Sequence, residues 1–125
     1  MNIYVIVELL ALDKIKCDEA LGGKKALKMI KDRMDQYASG TGTLYKLILL
    51  DYSMPGMDGP IVAQEIHRLY RESENVNETQ IPYICCCTAY TAIQFKKTAL
   101  EAGMNHFLNK PVSKDELDKL FTLIE

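Results

Sequence analysis

Three apolar runs in this chain each stop at a residue with chemical potential, and that pattern restricts the fold more than any other feature. Residues 44–50 are apolar apart from Lys46 and end at Asp51. Residues 82–87 end at Thr88, and the short run 106–108 leads into Lys110. Continuous apolar runs of this length suit strands buried on both faces, as in a parallel sheet. Between them lie stretches with helical spacing: Leu27, Ile30 and Met34 within 24–34, and Val62, Ile66 and Leu69 within 60–70. Residues 92–102 read as a helix stopped by Gly103, and Leu117, Leu120, Phe121 and Ile124 line one face of a last helix. Strands alternating with helices imply an α/β fold, a parallel sheet covered on both sides.

The punctuation agrees with this reading. Residues 15–20 read as another short strand, closed by Leu21-Gly22-Gly23, and residues 36–43, with Gly40 and Gly42, as a loop. Residues 52–59 hold Pro55, Gly56 and Gly59 and form a loop, after which Pro60 takes the first helical position, where its missing N–H costs nothing. Asp58 caps or precedes that helix. Residues 71–80 form a polar loop, long for a compact domain. Ser113-Lys114-Asp115-Glu116 fits a capping box.

The 125 residues make one domain, 1–125, with no repeat or linker dividing it. Net charge is -2, with basic residues spread rather than clustered, which argues against a nucleic-acid partner. No apolar run is long enough to span a bilayer. The apolar start, 1–12, contains Glu8 and lacks a basic leader, so the expected location is cytoplasmic. Four cysteines fit a reducing compartment. Cys85, Cys86 and Cys87 are consecutive and alternate between faces of a strand, so they cannot converge on one metal. They read as core thiols. Asn77-Glu78-Thr79 matches a glycosylation pattern but reads as polar loop. His67, expected on the solvated side of its helix, and His106, before a short strand, lack partners at metal-binding spacing.

Ligand sites in open parallel sheets lie beyond the carboxyl ends of the strands. If the three strands are neighbours, Asp51, Thr88 and Lys110 meet at one edge. A carboxylate can attack phosphorus and carry the group as an acyl phosphate. Lys110 offers a positive charge to a phosphate oxygen, worth on the order of a few kcal/mol at about 4 Å before desolvation. Thr88 offers a hydroxyl to the same oxygens. Asp51 is therefore the candidate acceptor, and phosphoryl transfer the candidate chemistry.

The segment Leu47-Ile48-Leu49-Leu50-Asp51-Tyr52-Ser53-Met54-Pro55-Gly56-Met57-Asp58-Gly59 resembles the phosphoacceptor segment of the response-regulator receiver domain family. Cys87-Thr88-Ala89 is similar to the family's hydroxyl position, and Phe107-Leu108-Asn109-Lys110-Pro111 to its lysine-proline segment. Residues 19–27 resemble its second strand and second helix. The resemblance implies a flavodoxin-like, doubly wound parallel sheet in strand order 2-1-3-4-5. It further implies phosphorylation of Asp51 by a histidine kinase or histidine phosphotransfer protein, with Mg²⁺ held by the Asp51 carboxylate and the Ser53 main-chain carbonyl. Thr88 and Phe107 would form a switch pair that remodels the surface made by the family's fourth helix, fifth strand and fifth helix. From the residues alone, Phe107 reads equally well as a core aromatic. Such a domain is regulatory and not an enzyme, beyond self-catalysed phosphotransfer and dephosphorylation. It signals to a separate downstream protein or belongs to a larger kinase.

One part of the family pattern is not found: a first strand ending in a pair of acidic residues. Residues 3–12 align best with the helix that follows those acids, so the first strand is expected to be missing or replaced. A truncated product, a replacement strand at 2–7 with Glu8 near the acidic position, and an element exchanged in a homodimer or domain swap are three ways to resolve this. With fewer carboxylates Mg²⁺ should bind more weakly. The alternative function is then a pseudo-receiver that binds partners without being phosphorylated. Tyr90, close to Thr88, either limits access to Asp51 or packs against the following helix. A phosphohydrolase of the haloacid dehalogenase type would need a second Asp at the Ser53 position. A flavodoxin would need a phosphate-cradling loop after its first strand.

Overall fold

The computed structural model describes residues 20, 22–53, 56–89, 92–110 and 112–124. The expected strand at 15–20, Glu8 and the alternatives for the first strand, Pro55, Tyr90 and Pro111 all lie outside the described residues, apart from Ala20.

The described elements follow in the order α1 (Gly23–Ala38), β1 (Leu47–Asp51), α2 (Gly59–Glu72), β2 (Tyr83–Thr88), α3 (Ile93–Glu101), β3 (His106–Asn109) and α4 (Lys114–Ile124). The strands form a parallel sheet in the order β1-β2-β3. Leu47 stands opposite Tyr83 and Asp51 opposite Cys87, while Cys85 pairs with His106 and Thr88 with Asn109. The register brings all three strand ends to one edge.

Alternation along β2 divides the core into two layers. Ile84 and Cys86 face a cluster with Leu50, Ile30 and Met34 of α1, Val62, Ala63, Ile66 and Tyr70 of α2, and Ala99 of α3. Cys85 and Cys87 face the other layer, with Leu108, Val112, and Leu117 and Leu120 of α4. Helices therefore cover both faces, as the sequence pattern requires. The three thiols have no measurable exposure, in keeping with their reading as core residues. Burial pushes the Cys86 thiol up to about 12. The contact with Cys87, followed by burial, raises Cys85 further still.

Some local features differ from the sequence pattern. α1 runs on to Ala38, so residues 36–38 are helical and not loop. The Gln36 carbonyl accepts hydrogen bonds from the Thr41 N–H and from the Ser39 and Thr41 hydroxyls, which closes the helix after the expected point. The polar segment after α2 is ordered by a 3₁₀ turn, Glu78–Gln80. There the Asn77 side chain accepts from the Thr79 N–H at 2.9 Å, and the Gln80 side chain accepts from the Asn77 N–H at 2.9 Å. Gln80 also donates to the Tyr37 hydroxyl at 2.9 Å, tying this turn to the end of α1. Asp58 precedes α2 at the cap position, yet its side chain makes no capping hydrogen bond. Ser113 does cap α4, accepting from the Glu116 N–H at 3.2 Å.

Candidate functional site

Each strand end is fixed by backbone pairing that continues beyond the strands. The Tyr52 N–H donates to the Cys87 carbonyl at 3.0 Å, immediately after Asp51. The Lys110 N–H donates to the Thr88 carbonyl at 2.9 Å, one residue past β3. Asp51, Thr88 and Lys110 are thus anchored on three adjacent strands, with Thr88 on the central one.

Two of the three side chains, those of Asp51 and Lys110, are in contact at this edge. Lys110 Nζ lies 3.3 Å from Asp51 Oδ1, with the two side chains 18% and 23% exposed. Burial works against the Lys110 charge, but neighbouring groups, the Asp51 carboxylate among them, outweigh it and hold the ammonium above the ordinary lysine value. Lys110 is therefore a cation at neutral pH. Thr88 is 2% exposed, a buried hydroxyl at the end of the central strand. A carboxylate that solvent can reach, with an ammonium already alongside, can receive an anionic group whose added charge is partly balanced in advance.

Phe107 stands opposite Cys86 and packs, partly buried, against the layer that holds Ile84 and Cys86. Strand alternation puts Thr88 on that same face, so Thr88 and Phe107 occupy one side of neighbouring strands. Phe107 is thus a core aromatic in position, on the same face as Thr88. Ser53 is exposed in the loop that follows β1. Among the described residues no group of three or more His, Cys, Asp or Glu side chains could hold a metal ion. Hard oxygens at and after the end of β1 include, among the described residues, the Asp51 carboxylate and main-chain carbonyls such as that of Ser53. This donor set suits in kind a small hard cation that keeps several of its own waters.

The sequence reading missed two contributors. Gly59, the first residue of α2, donates its N–H to the Tyr52 carbonyl at 2.8 Å. A Cβ at Gly59 would collide with the Asp51 carbonyl oxygen, so only glycine lets α2 approach the acceptor strand this closely. The second is Tyr52, whose ring meets Phe95 of α3 edge-on, with centroids 5.4 Å apart and planes at 89°.

His67 departs from its expected solvated position. It is half-buried, and its Nε2 lies 2.9 Å from the Gly103 carbonyl oxygen, joining α2 to the turn after α3. Gly103 has φ +94°, and a side chain there would also run into the His67 ring. His106 is the first residue of β3, as the run 106–108 implies, and its ring lies beside Tyr83.

Comparison with known proteins identifies the family and agrees with the fold. The family model described as response regulator receiver domain matches residues 1–122. "Histidine protein kinase 1" of Candida albicans is 32% identical over 115 residues, a stretch that covers 90% of this chain and 4% of the relative. The chain thus spans only a small part of that relative. The co-crystal structure of the Saccharomyces cerevisiae histidine phosphotransfer signaling protein Ypd1 with the receiver domain of its downstream response regulator Ssk1 matches with a TM-score of 0.77 at 24% identity. That match covers 97% of this chain and 79% of the other. The receiver domain of sensor histidine kinase PA1611 from Pseudomonas aeruginosa PAO1, solved with a magnesium ion in its active site cleft, matches with a TM-score of 0.75 at 25% identity. It covers 98% of this chain and 87% of the other.

Proposed function

The chain belongs to the response regulator receiver domain family, and from that premise we propose that Asp51 is its phosphoacceptor in a phosphorelay. The observation that supports this most is the placement of Lys110 Nζ 3.3 Å from Asp51 Oδ1, with Thr88 between their strands. In the proposed transfer an Asp51 carboxylate oxygen forms a P–O bond as the donor's P–N bond breaks. The donor imidazole leaves with the electron pair and takes up a proton from solvent. Lys110 balances charge on the incoming phosphoryl oxygens, and the Thr88 hydroxyl donates to one of them.

Mg²⁺ would be held by the Asp51 carboxylate and the Ser53 carbonyl together with water. When bound it supplies charge neutralisation between the anionic acceptor and the anionic donor. Phosphorylation adds charge and acceptor oxygens, which favours the arrangement in which Thr88 and Lys110 reach them, with Phe107 repacking on the same face. The donor class is a histidine kinase or a histidine phosphotransfer protein, the latter by analogy with Ypd1 in the matched complex. No described helix is long and apolar enough to cross a membrane.

Incubation with acetyl phosphate and Mg²⁺, followed by intact mass measurement, tests the reading. A phosphate-sized gain that vanishes in Asp51→Asn is the expected result. A folded chain that gains nothing, with or without a purified phosphotransfer protein as donor, would instead be a receiver that acts by binding alone.

A further inference from the structure

We propose that Tyr52 and Phe95 form a relay that couples the state of Asp51 to the orientation of α3. The proposal rests on Asp51 being the phosphoacceptor. Tyr52 directly follows Asp51, and its main chain is clamped on both sides, by the Cys87 carbonyl at 3.0 Å and the Gly59 N–H at 2.8 Å. These bonds tie Tyr52 to the strand end that carries Asp51, so a displacement of the Asp51 main chain carries Tyr52 with it. The Tyr52 ring meets the edge of Phe95 at 5.4 Å. Phe95 sits in the first turn of α3, where its N–H donates to the Ala92 carbonyl.

α3 is held elsewhere at its far end. Ala99 is its buried residue, and Ala102 and Met104 just beyond it enter the same core layer. There the His67 ring meets the Gly103 carbonyl. The helix leaves Ile93, which precedes Phe95, 81% exposed and Leu100, which lies between the two anchors, 55% exposed. A helix fixed at one end and touched at the other by the residue after Asp51 has the geometry of a lever. Movement at Tyr52 turns α3 about the Gly103 end and reorients Ile93. Tyr52 and Phe95 are positioning residues in this scheme, because neither supplies an atom to phosphoryl transfer.

Amide hydrogen exchange on peptides covering 93–101, read with and without acetyl phosphate and Mg²⁺, tests the relay. Intact mass on the same samples reports Asp51 occupancy separately. In the unaltered protein, modification should change exchange across α3. Phe95→Ala, and Phe95→Leu as a milder replacement that keeps an apolar side chain, should be modified to the same extent and lose most of that change. His67→Ala should raise exchange at the far end of α3 equally in both states. A Phe95→Leu chain that is fully modified and still responds overturns the relay and leaves the acceptor assignment intact. So does an unaltered chain that is modified without any response in α3. An unaltered chain that stays unmodified overturns both.

Discussion

Helices α2 and α3 pack on the same face of the sheet, yet they are held in very different ways. α2 buries Gly59, Pro60, Val62, Ala63, Ile66 and Tyr70, so almost every turn is locked into the core. α3 buries Ala99 and exposes Ile93 and Leu100. Both helices adjoin the Asp51 edge, α2 through the close approach of Gly59 and α3 through Phe95. In the proposed relay, this contrast distinguishes a framework helix from the helix that would move. Apolar area removed from water stabilises by roughly 25 cal/mol per Å², and α3 has given up most of that stabilisation at its exposed positions. Elements that change position in signalling come from the weakly held parts of a fold.

Substitutions can break or sharpen this contrast. The largest effect is expected from Ile66→Ala, which empties a fully buried position of α2 and should destabilise by about 2–5 kcal/mol in urea unfolding. If it costs no more than a surface change, α2 is not the framework. Gly59→Ala should follow, at about 1–3 kcal/mol, since the new methyl group must displace the Asp51 carbonyl or the helix. It should also slow acquisition of phosphate measured by intact mass, which Ile66→Ala should not do while the chain remains folded.

Alkaline unfolding probes the same framework helix. Burial pushes the Tyr70 hydroxyl up to about 12, so the folded protein holds its proton where the unfolded chain has already lost it. The associated stability is fully present below the ordinary tyrosine value of about 10. It falls as pH rises from there toward 12. Tyr70→Phe should flatten this part of the stability curve, with Cys86 still contributing to its slope. The smallest effect should come from Ile93→Ser on α3, within about 0.5 kcal/mol of the unaltered protein. A loss above 1 kcal/mol or so would mean that the first turn of α3 is packed in solution and cannot serve as a free surface.

Much of this arrangement was legible in the chain. Asp51, Thr88 and Lys110 could be placed together because apolar runs are a strong local signal, and strand direction then decides which ends converge. The Ser113 cap was legible for the same reason, since its pattern spans only four residues. Contacts between distant segments were not. His67 looked solvated because helical periodicity cannot foresee a carbonyl 36 residues later. The edge contact between Tyr52 and Phe95 depends on how a loop meets a helix and leaves no periodic trace. Gly59 was visible as loop punctuation, but its closeness to the Asp51 carbonyl emerges only when helix and strand are assembled. The end of α1 was placed too early because Gly40 suggested a break, whereas the Ser39 and Thr41 hydroxyls allow the helix to continue first.

The triplet Cys85-Cys86-Cys87 gives the molecule a built-in clock for its own opening. Two of these sulfurs point into one layer and one into the other, and all three are sealed from solvent. An alkylating reagent should leave the peptide that carries them untouched until the central strand parts from its neighbours. The rate at which that peptide gains mass then counts how often each layer comes open, and any ligand that tightens the sheet should slow it.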